Sequence, residues 1–300
     1  MYEISEFLKK YNIVPKSYQK NGKATIINTK KGRYVIKSKN RNNNDILKYL
    51  LSRNFDYFPK ILNDPNDDYE LIEYIEDIDM PEEQKMMDMI DLIALLHSKT
   101  TYYKEVDVDD FDKIYDDINN NIEYLYSYYN DIMTIIENKI IYSPSENLLA
   151  RNISIIFDTL NFESNLLKKW QELVKGKRKQ RYVVIHNNLD IDHFLRDQNN
   201  YLISWDKSRI DLPIYDLYKL YKKNNLNYDF ETLLKRYERV YPLLEEEKVL
   251  FHILILLPDK IEFNNNEFEM CQKISDTIDN LYKTKDYVLP YYSENSKTNK

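Results

Sequence analysis

The 300-residue sequence predicts an α+β chain, with a small β-rich amino-terminal part and a larger helical remainder. Three observations carry this reading. Residues 13–40, 58–62 and 69–75 form short apolar or alternating runs broken by turn residues, as strands do. From residue 81 onward, apolar residues recur at helical spacing over stretches too long for strands. No linker long enough to separate independent domains interrupts the chain. The expected division is therefore a β-rich lobe at 1–76, a helical lobe at 77–292 and a polar, disordered tail at 293–300.

In chain order, ATIINT (24–29) and RYVIKSK (33–39) flank the turn KKG and predict two paired strands. NNNDILKYLLSRN predicts a helix capped by Asn44, with Ile46, Leu47, Leu50 and Leu51 as its apolar stripe. FPKIL and YELIEYI follow as two more short strands. Pro81 with Glu82 and Glu83 suits a first helical turn. Met86, Met89, Ile90, Ile93, Ala94 and His97 give that helix one apolar face, which makes His97 a packed histidine rather than a ligand. Residues 109–175 read as a helical hairpin. Phe111, Ile114, Ile118, Ile122, Leu125, Ile132, Ile136 and Ile140 mark its first arm. SPSE (143–146) restarts the helix with capping-box spacing, and Gly176 within KGKRKQR ends the second arm. RYVVIH and NYLISW are two short β-type runs. DLPIYDLYKLYKK turns into a helix, and helices continue to about Lys283.

Composition narrows the function. At 43% hydrophobic and 31% charged, the chain has the makeup of a globular protein that can bury a core. Its glycines are Gly22, Gly32 and Gly176, too few for a glycine-rich phosphate cradle. The start MYEISEFLKKYN carries charges where a signal peptide needs an apolar core. No apolar run approaches the roughly 18–20 residues of a membrane span. The single cysteine, Cys271, excludes an internal disulfide. A cytoplasmic protein without membrane association is expected. Residues 14–44 hold nine Lys or Arg and no acid, which reads as a solvated sheet surface or a place to meet phosphate. The rest carries 34 basic against 50 acidic residues, and so acidic a body argues against nucleic-acid binding.

The order of the motifs carries the chemistry. A strand lysine (YVIK, Lys37) precedes a helix with an early acid (Asp45). After the connector come a helix ending in LLHS, a helical insert, VVIHNNLDIDHFL, LISWD and finally DLPIYDL. This order resembles the aminoglycoside-phosphotransferase and choline-kinase-like branch of the protein-kinase-like fold, with spore-coat kinase-like proteins as the nearest match. The resemblance spans roughly residues 13–285 and implies a bilobal α+β fold with a small antiparallel sheet and a large helical lobe.

The resemblance also implies where function would sit. The strand lysine, Lys37, would contact nucleotide phosphates and pair with the helix acid, matched only approximately by Asp45. Lys20 and Lys23, in SYQKNGKAT, would lie at the cover over the phosphates. The family's catalytic loop reads H-G-D-x-x-x-x-N. His186 keeps its place as a brace, but Asn188 stands at the catalytic Asp and His193 at the metal-binding Asn. Ser204 stands at the Asp that holds magnesium. Asp216 matches an acid that anchors the catalytic loop. Two readings follow. In the first, the chain is a pseudokinase that acts as a binding or scaffolding module. In the second, it is an atypical phosphotransferase on a small hydroxylated substrate, with Asp190, Asp192 or Asp206 taking over the lost work. ATP and magnesium enter only if the altered site still binds them. A small molecule or a protein partner would bind the inter-lobe cleft or the helical hairpin.

Overall fold

The alternation in the first strands becomes a four-stranded antiparallel sheet in the computed structural model, which describes residues 2–39 and 41–294. Helix α1 (Tyr2–Lys10) precedes β1 (Pro15–Asn21), β2 (Ala24–Thr29) and β3 (Arg33–Ser38). Helix α2 (Arg41–Ser52) then leads to β4 (Tyr69–Glu73), and each strand pairs with the next in sequence. Gly22, at φ 56°, supplies the left-handed residue of the β1–β2 turn. Alternation puts Ile27, Ile36 and Leu71 on one sheet face, where they pack with Phe7 and Leu8 of α1. Burying each such side chain stabilises by about 1.5–3 kcal/mol. Lys10 and the Tyr11 hydroxyl both donate to Asp67, and the Asp64 N–H donates to the same hydroxyl at 3.0 Å.

Two local expectations are corrected. FPKIL does not form a strand; it contributes one bridge, Ile61 with Ile72, because Pro59 has no N–H to extend a ladder. Helix α2 begins at Arg41, so Asn44 lies inside it rather than at its cap, and the Asn44 side chain lies outside the described residues. Leu47 and Leu50 are buried, whereas Leu51 is exposed, so the apolar stripe is narrower than the spacing implied.

Helix α3 (Glu82–Thr100) buries Met86, Met89, Ile90, Ile93, Ala94 and His97, as its periodicity requires. Strand β5 (Tyr102–Glu105) is followed by the hairpin of α4 (Val108–Glu137) and α5 (Pro144–Val174). Asp107 and Ser143 each lead a capping box at the start of these two arms. Ile140 falls in the link between the arms and is fully exposed, outside the stripe assigned to it. Strand β6 (Lys179–Ile185) and the hairpin of β7 (Phe194–Arg196) and β8 (Asn200–Leu202) come next. Strand β9 (Arg209–Asp211) precedes α6 (Ile214–Asn224), α7 (Phe230–Val240), α8 (Glu245–Leu256) and α9 (Glu267–Glu294). The helix therefore continues through residues 293–294 of the expected tail, and 295–300 lie outside the described residues.

The chain forms two compact units, each made of two segments. The first joins the part up to residue 101 with 183–211, and the second joins 102–182 with the part from 212 onward. Strand β6 serves both: residues 179–182 pair with β5 and residues 183–185 with β9. In the second unit α5 packs against α4, α8 and α9, and Tyr129, Trp170, Tyr221, Tyr237 and Phe251 are buried in that unit. There Arg181 donates from Nε to Glu247 at 2.9 Å and from Nη2 to the Pro242 carbonyl at 3.0 Å. No described helix is long and apolar enough to cross a membrane.

Candidate functional site

The loop at 186–193 follows a short, buried apolar stretch of the first unit. Val183, Val184 and Ile185 are fully buried, and the Val184 N–H donates to Thr100 Oγ1 of α3 at 3.1 Å. This buried strand delivers His186 to the loop in a fixed position. The His186 Nε2 donates to the Ile203 carbonyl at 2.9 Å, and its ring meets the edge of Trp205 at 4.7 Å. Phe55 and Phe58 pack on the same indole, whose Nε1–H donates to the Leu202 carbonyl at 2.8 Å. His186 thus ties the start of the loop to Ile203 and Trp205.

The turn after it needs an unusual backbone. Asn187 adopts φ 60°. Asparagine tolerates this left-handed region better than most residues, and here its Nδ2 donates to the Lys207 carbonyl at 2.8 Å. Asp190 folds the next turn, accepting from the Asp192 N–H at 3.3 Å. A short 3₁₀ turn over 191–193 then brings His193 back, and its Nδ1 lies 2.8 Å from the Asn188 carbonyl oxygen. A carbonyl only accepts, so Nδ1 carries the proton in this contact. The Ile203 N–H donates to the His193 carbonyl at 2.9 Å. Ile203 is therefore clamped from both sides, by His186 and by His193, and the residue after it, Ser204, takes φ 66°. Asn188, His193 and Ser204 are joined through one hydrogen-bonded frame.

Lys37 lies on β3, directly opposite Glu70 of β4. Both face away from the Ile36–Leu71 core side of the sheet. Glu70 is only 7% exposed. Burial pushes its carboxyl above the usual range, against the pull of Lys37; Asp206 pushes it further up and Lys39 pulls it down. The sheet and the LISWD segment thus meet electrostatically at Glu70, which the motif reading did not single out. Its signal is the register of β3 against β4, which no motif prints. Asp45 is exposed on α2, and among the described residues no ion pair joins Lys37 to either Asp45 or Glu70. Lys20 on β1 and Lys23 in the following turn are exposed, as is Asp192, while Asp190 is half-buried. Asp216 is fully buried in the first turn of α6.

The donor set tests what the site would hold. Lys37 and Lys39 present cationic N–H donors of the kind that phosphate oxygens take. Magnesium prefers hard oxygen donors in near-octahedral geometry. Asn188, His193 and Ser204 offer an amide, an imidazole and a hydroxyl, a poor set for that ion. Among the described residues, no three His, Cys, Asp or Glu side chains converge so as to hold a metal ion.

Comparison with solved structures identifies the architecture. An aminoglycoside phosphotransferase from Alicyclobacillus acidocaldarius superposes with a TM-score of 0.68 at 11% identity, over 96% of this chain and 94% of that one. The fold is protein-kinase-like. The AMP-bound spectinomycin phosphotransferase APH(9)-Ia gives 0.52 at 16% identity, covering 98% and 94% of the two chains. A choline kinase from Cryptosporidium parvum gives 0.51 at 15% identity, covering 97% of each. No protein-family model and no curated protein sequence matches the chain. The kinase-like fold agrees with the order of motifs in the sequence, and its small antiparallel sheet is the β1–β4 sheet described above.

Proposed function

We propose that this kinase-like chain binds a nucleotide through Lys37 and has lost phosphoryl transfer, so that it acts as a binding or scaffolding module. One observation supports the reading: Asn188, His193 and Ser204, which the sequence resemblance sets at the catalytic and metal-binding positions, come together in one loop braced by His186 and Ile203. A neutral amide at 188 cannot accept the proton of an attacking hydroxyl, and losing general-base help alone costs about 10²–10⁴ in rate. The imidazole and hydroxyl weaken any magnesium held across the phosphates. Lys37 lies on β3, where the resemblance sets a phosphate-contacting lysine, and this supports phosphate contact without the metal.

The test is a thermal-shift and calorimetric titration of the full chain with ATP, ADP and AMP, with and without magnesium or manganese. It is paired with a phosphotransfer assay using labelled ATP and a panel of small alcohols. Nucleotide is expected to stabilise the chain by about 2.7 kcal/mol at 100 times its dissociation constant. That gain is independent of metal and lost in Lys37→Ala, with no label transferred. Metal-dependent transfer to any acceptor overturns the proposal.

A second reading is favoured by the electrostatic contact of Asp206 with Glu70, opposite Lys37. In it, Asp206, aided by Asp190 or Asp192, carries a shifted metal for an atypical phosphotransferase acting on a small hydroxylated substrate. Turnover that survives Asp190→Ala and Asp206→Ala together would sink this version.

A further inference from the structure

We propose that Glu70 is the acid that holds the Lys37 ammonium at the phosphate end of a bound nucleotide, the position that the family resemblance gives to Asp45. This assignment rests on the nucleotide-binding reading above and deepens it.

The geometry begins with the strand register. Lys37 and Glu70 are direct cross-strand partners, and such partners place their Cβ atoms about 4.5–5.5 Å apart on one sheet face. The opposite face, with Ile36 and Leu71, is taken up by the core beneath α1. Glu70 is nine-tenths buried, and its Oε1 has no hydrogen-bond partner. A carboxylate at that depth is costly unless a cation or donors answer it. The cations within electrostatic reach are Lys37 and Lys39, which oppose the effect of burial on this carboxyl. Asp45 offers no comparable constraint, because it is exposed on α2.

The chemistry is that of a shared ammonium. Lysine has three N–H donors. One given to Glu70 Oε1 leaves two for phosphate oxygens and removes the freedom of the long side chain to turn toward solvent. A partner on the neighbouring strand holds the lysine through the backbone ladder, so its placement does not depend on how α2 is oriented. Asp206 is a second acid whose charge reaches Glu70, and it would oppose a phosphate brought there without the Lys37 cation. Glu70 is therefore a positioning residue that acts through Lys37.

Calorimetry on the full chain separates this from a structural contribution, using ATP and adenosine as ligands. Glu70→Gln is expected to weaken ATP about tenfold and to leave adenosine unchanged. Asp45→Asn is expected to leave both unchanged. In a Lys37→Ala background, Glu70→Gln should add less than about twofold, because the two residues act as one unit. The assignment is overturned if Glu70→Gln binds ATP as well as wild type, loses both ligands in parallel, or adds its full effect to Lys37→Ala. Should Glu70→Gln not fold, Glu70→Asp takes its place: its shortened carboxylate should loosen ATP and spare adenosine, and unchanged ATP binding overturns the idea. A wild-type chain that binds neither ATP nor adenosine overturns the nucleotide reading itself, and this assignment with it.

Discussion

Asn187 shows how one side chain can satisfy both backbone and packing. A left-handed φ costs most L-residues about 1–2 kcal/mol, and a net hydrogen bond contributes about 1 kcal/mol. Asn187 keeps the first cost low and gains the second from the Lys207 carbonyl. Asn187→Ala is therefore expected to lower stability by about 2–3 kcal/mol, and Asn187→Gly by less than about 1 kcal/mol, in urea unfolding. Equal losses would mean that φ is not the constraint. The same loop shows what was legible in advance. His186, Asn188 and His193 stand in one contiguous motif, so their places could be read from spacing. Glu70 could not be read that way, because its meaning depends on which residue of β3 it faces. The spacing of DILKYL puts Asp45 near the start of the next helix, but α2 begins at Arg41 and Asp45 is exposed on it.

At the scale of elements, ionic contacts fix how helices meet strands. Helix α1 completes the core under the sheet with Phe7 and Leu8. Its end is tied by Lys10 and Tyr11 to Asp67, and those two hydrogen bonds, Lys10 first, hold the Asp67 carboxyl down to about 2, against an ordinary 3.8. A depressed carboxyl stabilises the fold fully above its ordinary value, and that contribution is lost as pH falls from 3.8 toward 2. Amide protection in α1, relative to the intrinsic exchange rate at each pH, should therefore fall across that window in wild type. Asp67→Asn should show the lowered protection already at neutral pH and lose the acid step; an unchanged acid step in the variant would remove Asp67 as its cause. In the second unit, Arg181 of β6 meets Glu247 of α8, and its guanidinium also stacks on Tyr241 at 4.3 Å. Glu247 in turn accepts from the Leu244 N–H that opens α8, at 2.9 Å. Arg181→Ala strands a buried carboxylate and is expected to cost about 3–5 kcal/mol in chemical denaturation. A loss below 1 kcal/mol would show that water already satisfies the acid.

At the scale of the whole molecule, the chain does not divide where its composition changes. The shift from strand to helix patterning near residue 76 is real, but α3 and residues 183–211 group with the amino-terminal sheet. Sequence pattern reports local structure, whereas a compact unit is set by contacts between distant segments, such as Val184 with Thr100 and Ile78 with Arg196. A fragment ending at residue 101 would leave the Leu96 and Thr100 side of α3 uncovered, along with the ring cluster of Phe55 and Phe58, which needs Trp205. It should fail to melt cooperatively. The register of β5 and β6 supplies a remedy, because Tyr102 pairs directly with Tyr182. Thr101 and Val183 therefore lie side by side, and a tight turn of about two residues can join them. A chain carrying residues 1–101, that turn and 183–211 should melt cooperatively and keep Lys37, Glu70 and Asp206 together. If the nucleotide reading holds, it should also bind ATP with an affinity within about tenfold of the full chain. Cooperative folding without ATP binding, where the full chain binds it, would show that residues 102–182 or those from 212 onward supply part of the nucleotide site. Failure to fold would show that the first unit depends on those segments for its stability.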